Sequence, residues 1–200
     1  MSTAELSPVE LEAEEDALQE REFGFWVYLM TDAIIFALLF AVYITMTNNV
    51  ATAPAPKEFF DFWHTVGETA LLLISSLTFG FATLQMRAGN KQAVLMWLVV
   101  TFVLGAGFVA MELDEFGGMI AAGAAPTESG ALSAFFTLVG THGLHVSLGL
   151  LWIAVFTVQV SAKGLTPHVV SRLSRLGLFW HFLDIVWIGI FSVVYLPGMM

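Results

Sequence analysis

Residues 132–161 read LSAFFTLVGTHGLHVSLGLLWIAVFTVQVS, a run without a single Asp, Glu, Lys or Arg. Crossing a hydrocarbon layer roughly 30 Å thick takes about 20 apolar residues in a helix, because lipid offers exposed backbone N–H and C=O groups no partner. This run is therefore expected to be a transmembrane helix. Working outward, residues 23–46, 63–86, 93–113 and 176–196 meet the same test. The expected fold is an all-α membrane protein, a bundle of five transmembrane helices. The connections NNVATAPAPKE (48–58), RAGNKQ (87–92), the stretch around GAAPTESG (123–130) and AKGLTPHVVSR (162–172) are short and polar or carry Gly and Pro. None is long enough for a separate domain, so residues 23–200 are expected to form one membrane domain behind a tail, residues 1–22.

Composition agrees with a bilayer as solvent. The chain has 200 residues, 58% hydrophobic and 12% charged, with a mean hydropathy of +0.81. Soluble chains average about 45–50% apolar and about 25% charged. Cysteine is absent, which removes disulfides, thiolate-held iron–sulfur clusters, C-x-x-C-H haem attachment and copper centres built on thiolates. Any redox cofactor would have to hang on five histidines. Residues 1–22 hold eight acids against Arg21, so −7 of the formal −10 belongs to the tail. Lacking a basic start and an apolar stretch, this tail is not a secretory signal and is expected to stay on the chain as a solvated, partly disordered arm.

Lys and Arg resist translocation, so short loops rich in them face the cytoplasm. With five spans, Arg21, Arg87, Lys91, Lys163, Arg172 and Arg175 share one side and only Lys57 lies on the other. The N-terminus is thus expected in the cytoplasm and the C-terminus outside. Trp26, Tyr28, Trp63, Trp97, Trp180 and Tyr195 lie near expected span ends, where amphipathic rings serve as interfacial anchors.

Four acids and three histidines fall inside the spans. Intramembrane charges are costly and face the bundle, with a partner or a purpose. Counting at about 1.5 Å per residue from each helix end puts Asp32, Asp184, His145 and His181 in one layer of the cytoplasmic half. Glu68 and Glu112 belong to the outer half, with His142 near the middle. Asp184 is expected to pair with His145, His181 or Asp32. Interhelical hydrogen-bonding is the default reading of these groups, and a proton relay is the alternative. A haem or metal site inside the chain is disfavoured, because His142 and His145 share one face of one helix and paired Glu-x-x-His motifs are absent.

Four stretches carry a more specific message: FGFWVYLMTDAIIFALLFAVY (23–43), GAGFVAMELDEF (105–116), SAFFTLVGTHGLHVSLGLLW (133–152) and LFWHFLDIVWIGIFSVVYL (178–196). Together they resemble subunit III of the haem-copper oxidases from residue 23 to residue 196. H-G-L-H-V-x-x-G with a downstream W-H-F-x-D-x-V-W is specific as a pair. Longer relatives have seven helices, and the five-helix form is most similar to the ubiquinol-oxidising, bo-type branch; a cytochrome c oxidase subunit III is the alternative. The resemblance implies a non-catalytic chain of an H⁺-pumping respiratory quinol oxidase in a bacterial inner membrane, beside a catalytic subunit I, a subunit II and a small subunit IV. It also implies that haems, copper and ubiquinol belong to the partner, that this chain has no cofactor or catalytic residue, and that phospholipid binds nearby. Glu112, His142, His145, His181 and Asp184 match the family's polar positions, which such a chain uses for structure or proton support. From a different class, a self-contained proton-coupled transporter would use Asp32, His145 and Asp184, but the internal repeats common in transporters are missing.

Overall fold

The computed structural model of the chain describes residues 8–48 and 56–199. Its helices are α1 (Pro8–Met46), α2 (Phe62–Arg87), α3 (Lys91–Ala121), α4 (Gly130–Lys163) and α5 (Pro167–Ile190), with a short 3₁₀ turn, Pro56–Phe59, before α2. A π-helical turn, Phe191–Tyr195, and a last α-helical turn, Leu196–Met199, extend α5. Among the described residues five helices are long and apolar enough to span a membrane, and no strand occurs.

Local signals set the helix ends. Asp61, Asn90 and Ser129 accept hydrogen bonds from the backbone N–H of Trp63, Ala93 and Leu132, each taking up an orphan donor of a first turn. Pro167 opens α5, where its missing N–H costs nothing. Gly89 and Gly164 follow the ends of α2 and α4 with φ of 71° and 73°, a region in which a Cβ would be strained.

Three boundaries differ from the sequence expectation. The described part of the tail is not a disordered arm, since α1 runs without interruption from Pro8. Pro8 suits a first helical position, and the Glu, Leu, Ala and Gln that follow are strong helix formers. The α5 helix starts at Pro167 instead of near residue 176, and α3 continues to Ala121. Hydropathy locates the apolar middle of a helix, whereas capping decides where it starts and stops.

The helix α5 is the most enclosed, with half of its apolar window buried against 22% for α1. It packs on α1, α2 and α4, while α3 closes the bundle between α2 and α4. Two tryptophans seven residues apart on α5 fix this arrangement. The Trp180 indole lies in a slot between α3 and α4: a methyl group on Gly105 would come within 2.9 Å of the ring, and one on Gly149 within 3.0 Å. Its Nε1 donates to Ser75 Oγ of α2 at 3.1 Å. Trp187 repeats the pattern one layer on, donating from Nε1 to Thr69 Oγ1 of α2 at 3.1 Å. It also meets Phe108 of α3 edge-on, with ring centroids 4.7 Å apart. The α1 helix docks by seating Phe40 over Gly189 of α5, at 3.1 Å from a Cβ built there.

Gly105→Val should force the Trp180 ring out of its slot. Overpacking of this kind costs about 1–3 kcal/mol, to be seen as a lowered thermal midpoint of the detergent-solubilised protein.

Candidate functional site

The intramembrane polar groups form three separate sets. Asp32 of α1 faces His145 of α4, with Oδ2 3.8 Å from Nε2, within ion-pair range but long for a hydrogen bond. The other ring nitrogen of His145, Nδ1, lies 2.7 Å from the carbonyl of Thr141. A carbonyl only accepts, so Nδ1 carries a hydrogen and Nε2 is the nitrogen that can share a proton with Asp32. Tyr28 lies one turn earlier on α1, its phenol within reach of the same carboxylate.

The second set joins α5 to α2. His181 Nδ1 lies 2.6 Å from Ser76 Oγ, and Ser76 is also within reach of the Asp184 carboxylate. Asp184 therefore meets Ser76, and not Asp32 or His145 as the depth count expected; His181 joins it only through that hydroxyl. Depth along the membrane does not fix the direction in which a helix faces. His181 and Asp184 look toward α2, while His145 looks from α4 toward α1. The Oδ1 atom of Asp184 is buried without a hydrogen-bond partner.

The third set occupies the end of the bundle where α2 begins. Glu68 is fully buried on α2, with Oε1 3.3 Å from Nε2 of His64 one turn earlier. On α3, Glu112 and Glu115 stand three residues apart, and all three carboxyls act on one another electrostatically. Tyr195 donates its hydroxyl to Glu115 Oε2 at 2.8 Å. The π turn carries this ring: fitting an extra residue into one turn rotates the following side chains about the axis. A cleft of about 340 Å³, lined by Asp61, His64, Asp114 and Glu115 among others, opens from this set.

Glu112 explains a glycine in the T-H-G-L-H stretch. Its carboxylate rests against Gly143, where a methyl group would sit 2.5 and 2.6 Å from the two oxygens. His142 belongs to no polar set. Fully buried, it stacks on Trp187 at 5.4 Å between centroids and meets the edges of Phe108 and Phe36, with neither nitrogen hydrogen-bonded. Among the described residues no group of three or more His, Asp or Glu is gathered in a way that could hold a metal ion.

Sequence reading missed His64, Ser76, Glu115 and Tyr195. The i,i+4 spacing of His64 and Glu68 and the i,i+3 spacing of Glu112 and Glu115 were available as signals. Ser76 and Tyr195 offered none, because their partners lie 105 and 80 residues away. A further groove, about 560 Å³, lies between α1, α4 and α5 and is lined by Tyr28, Trp152, Gln159, Arg172 and Arg175 among others.

The profile described as cytochrome c oxidase subunit III matches residues 14–199, taking in every one of these sets. The chain belongs to this family. Within the subunit III family it is 52% identical over 185 residues to cytochrome bo(3) ubiquinol oxidase subunit 3 of Pseudomonas putida, covering 92% of this chain and 89% of that one. The quinol oxidase subunit 3 of Bacillus subtilis is 42% identical over 193 residues, 96% of this chain and 94% of its own. The cytochrome c oxidase subunit 3 of Bacillus sp. (strain PS3) is 38% identical over 198 residues, 98% and 96% of the two chains. Chains of this length thus occur under both names, so length does not separate quinol from cytochrome c oxidases.

Gly143→Ala should destabilise the chain in the presence of the Glu112 carboxylate and much less in a Glu112→Ala background. A double-mutant cycle of thermal unfolding in detergent measures this coupling, which for residues in contact is about 0.5–3 kcal/mol.

Proposed function

We propose that this chain is subunit III of a proton-pumping haem-copper ubiquinol oxidase of an aerobic respiratory chain. The observation that carries the reading is the 52% identity, over 92% of the chain, to a protein named cytochrome bo(3) ubiquinol oxidase subunit 3. In this reading the chain is non-catalytic: haems, copper and ubiquinol reside in a subunit I, with a subunit II and a small subunit IV completing the complex. The work of this chain is to hold the catalytic subunit in shape and to support its proton supply. Residues 1–22 are the cytoplasmic arm and residues 23–200 the membrane unit, in a bacterial inner membrane with the C-terminus on the periplasmic side.

The polar sets support this role in different ways. Asp32 and His145 face each other within ion-pair range in the half of the bundle nearer Arg172 and Arg175, which suits proton support on the cytoplasmic side. Ser76 with His181 and Asp184, and Tyr195 with Glu115, tie α5 to α2 and to α3 and are structural. Arg172 and Arg175 beside Tyr28 and Trp152 offer two guanidiniums above apolar walls, which fits the headgroup and chains of an anionic phospholipid.

Purification from native membranes by a tag on this chain should bring down a large haem-bearing subunit, and the complex should oxidise ubiquinol. Purification of the chain alone, or of a complex that oxidises cytochrome c and not quinol, would reject the reading. Reporters fused after Lys91 and after Arg172 should read as cytoplasmic and a C-terminal fusion as external; an external signal at Lys91 would invert the orientation.

A further inference from the structure

His181 stands near the middle of α5 but on the outside of the bundle. Its Nδ1 is held by Ser76 and its ring meets the edge of Phe79, while Nε2 has no hydrogen-bond partner among the described residues. Ser76 lies close to the midpoint of α2, so this imidazole sits at mid-membrane depth. Lipid tails there supply neither donor nor acceptor, and ionisable side chains at that depth turn toward other protein.

The surface beside His181 is a groove of about 540 Å³, lined by Leu73, Ser76, Leu77, Gly80 and Phe81. No neighbour in the chain requires a glycine at position 80. A Cβ on Gly105, Gly143, Gly149 or Gly177 would meet a neighbour at 3.0 Å or less, whereas one on Gly80 meets nothing within 4 Å. A glycine that leaves an open notch at mid-membrane, next to a hydrogen-bonding side chain, has the two features by which membrane helices associate: close backbone approach and a polar contact between helices. Behind the notch, the buried Asp184 keeps one oxygen without a partner. Turning the Ser76 proton to Asp184 leaves Nδ1 of His181 to donate and Nε2 to accept.

We propose that this groove seats a transmembrane helix of another oxidase subunit, packed over Gly80 and offering a hydroxyl or amide donor to His181 Nε2. The proposal rests on the reading of the chain as an oxidase subunit. An incoming donor completes a chain of hydrogen bonds from the partner through His181 and Ser76 to Asp184. A lipid tail in the groove would fill its volume and leave Nε2 open.

The test uses the complex in native membranes. A Cβ at position 80 points into open space, so the membrane level of Gly80→Leu should match the wild type while the co-purified haem-bearing subunit falls at least about fivefold, with Gly80→Ala in between. Because the chain has no cysteine, Leu77→Cys provides a unique anchor for a photoactivatable maleimide. It should cross-link to a transmembrane segment of another oxidase subunit, identified by mass spectrometry, and adding His181→Leu should reduce the yield. Full stoichiometry in Gly80→Leu together with lipid adducts alone at Leu77 would overturn the proposal, and where the two readouts differ, the Leu77 adduct decides. If the wild-type chain brings down no haem-bearing subunit, the functional reading fails instead, and a Leu77 adduct to no protein helix would then sink the groove as well.

Discussion

The Trp180 indole occupies a slot that exists only because Gly105 and Gly149 lack side chains, and its N–H closes on Ser75. One side chain on α5 thereby touches α2, α3 and α4. In lipid, the driving force that gathers helices in water is missing, since lipid tails are as apolar as the helices, and association depends on close packing and hydrogen bonds between helices. A large flat ring held between two glycines supplies the first, and its N–H supplies the second. Trp187 adds a second ring and a second N–H bond one layer on, against Thr69, Phe108 and His142. With α5 held in this way, the azimuth of each neighbouring helix is fixed, and every polar group inside the bundle receives its direction from that.

The buried polar residues follow as consequences. The arrangement turns His142 into an aromatic enclosure with no polar partner, so its imidazole acts as a flat ring among flat rings. It turns His145 outward to Asp32, and it seats the Glu112 carboxylate on the bare Cα of Gly143. The T-H-G-L-H stretch thus contains three residues with three different duties. One histidine packs, the glycine admits a carboxylate from the neighbouring helix, and the other histidine lies within ion-pair range of Asp32 on α1.

A bundle whose polar groups are mostly buried between its helices is suited to a supporting subunit. The α5 helix, buried on most sides, provides the stiffness. The α1 helix, with its many exposed apolar side chains, and the outer face of α2 offer surface to lipid and to neighbouring protein. The acidic cleft beside His64 and the arginine-lined groove beside Tyr28 lie near opposite ends of the bundle. The two openings therefore differ in their lining, acidic beside His64 and basic at Arg172 and Arg175.

The five spans, the sidedness of the basic residues and the family resemblance could be read from residue order alone, because each depends on composition within a window of about 20 residues or on short local words. The position of each of Asp32, Glu68, Glu112, His142, His145, His181 and Asp184 along its own helix was legible for the same reason, as rise per residue is constant in a helix, but the start of α5 at Pro167 moves His181 from the cytoplasmic half, where the count put it, to the middle of its helix. Their partners were not legible. Whether Asp184 meets Asp32 or Ser76 depends on how far each helix is rotated about its axis, and that rotation is set by rings entering glycine notches on other helices, tens of residues away. The π turn that carries Tyr195 to Glu115 is likewise invisible in hydropathy. Sequence determined which segments are apolar enough to cross a membrane and where each polar group stands along its own segment; tertiary packing decided which way each group faces, because contacts between helices form at long range and only one set of rotations lets Trp180, Trp187 and Phe40 all find room.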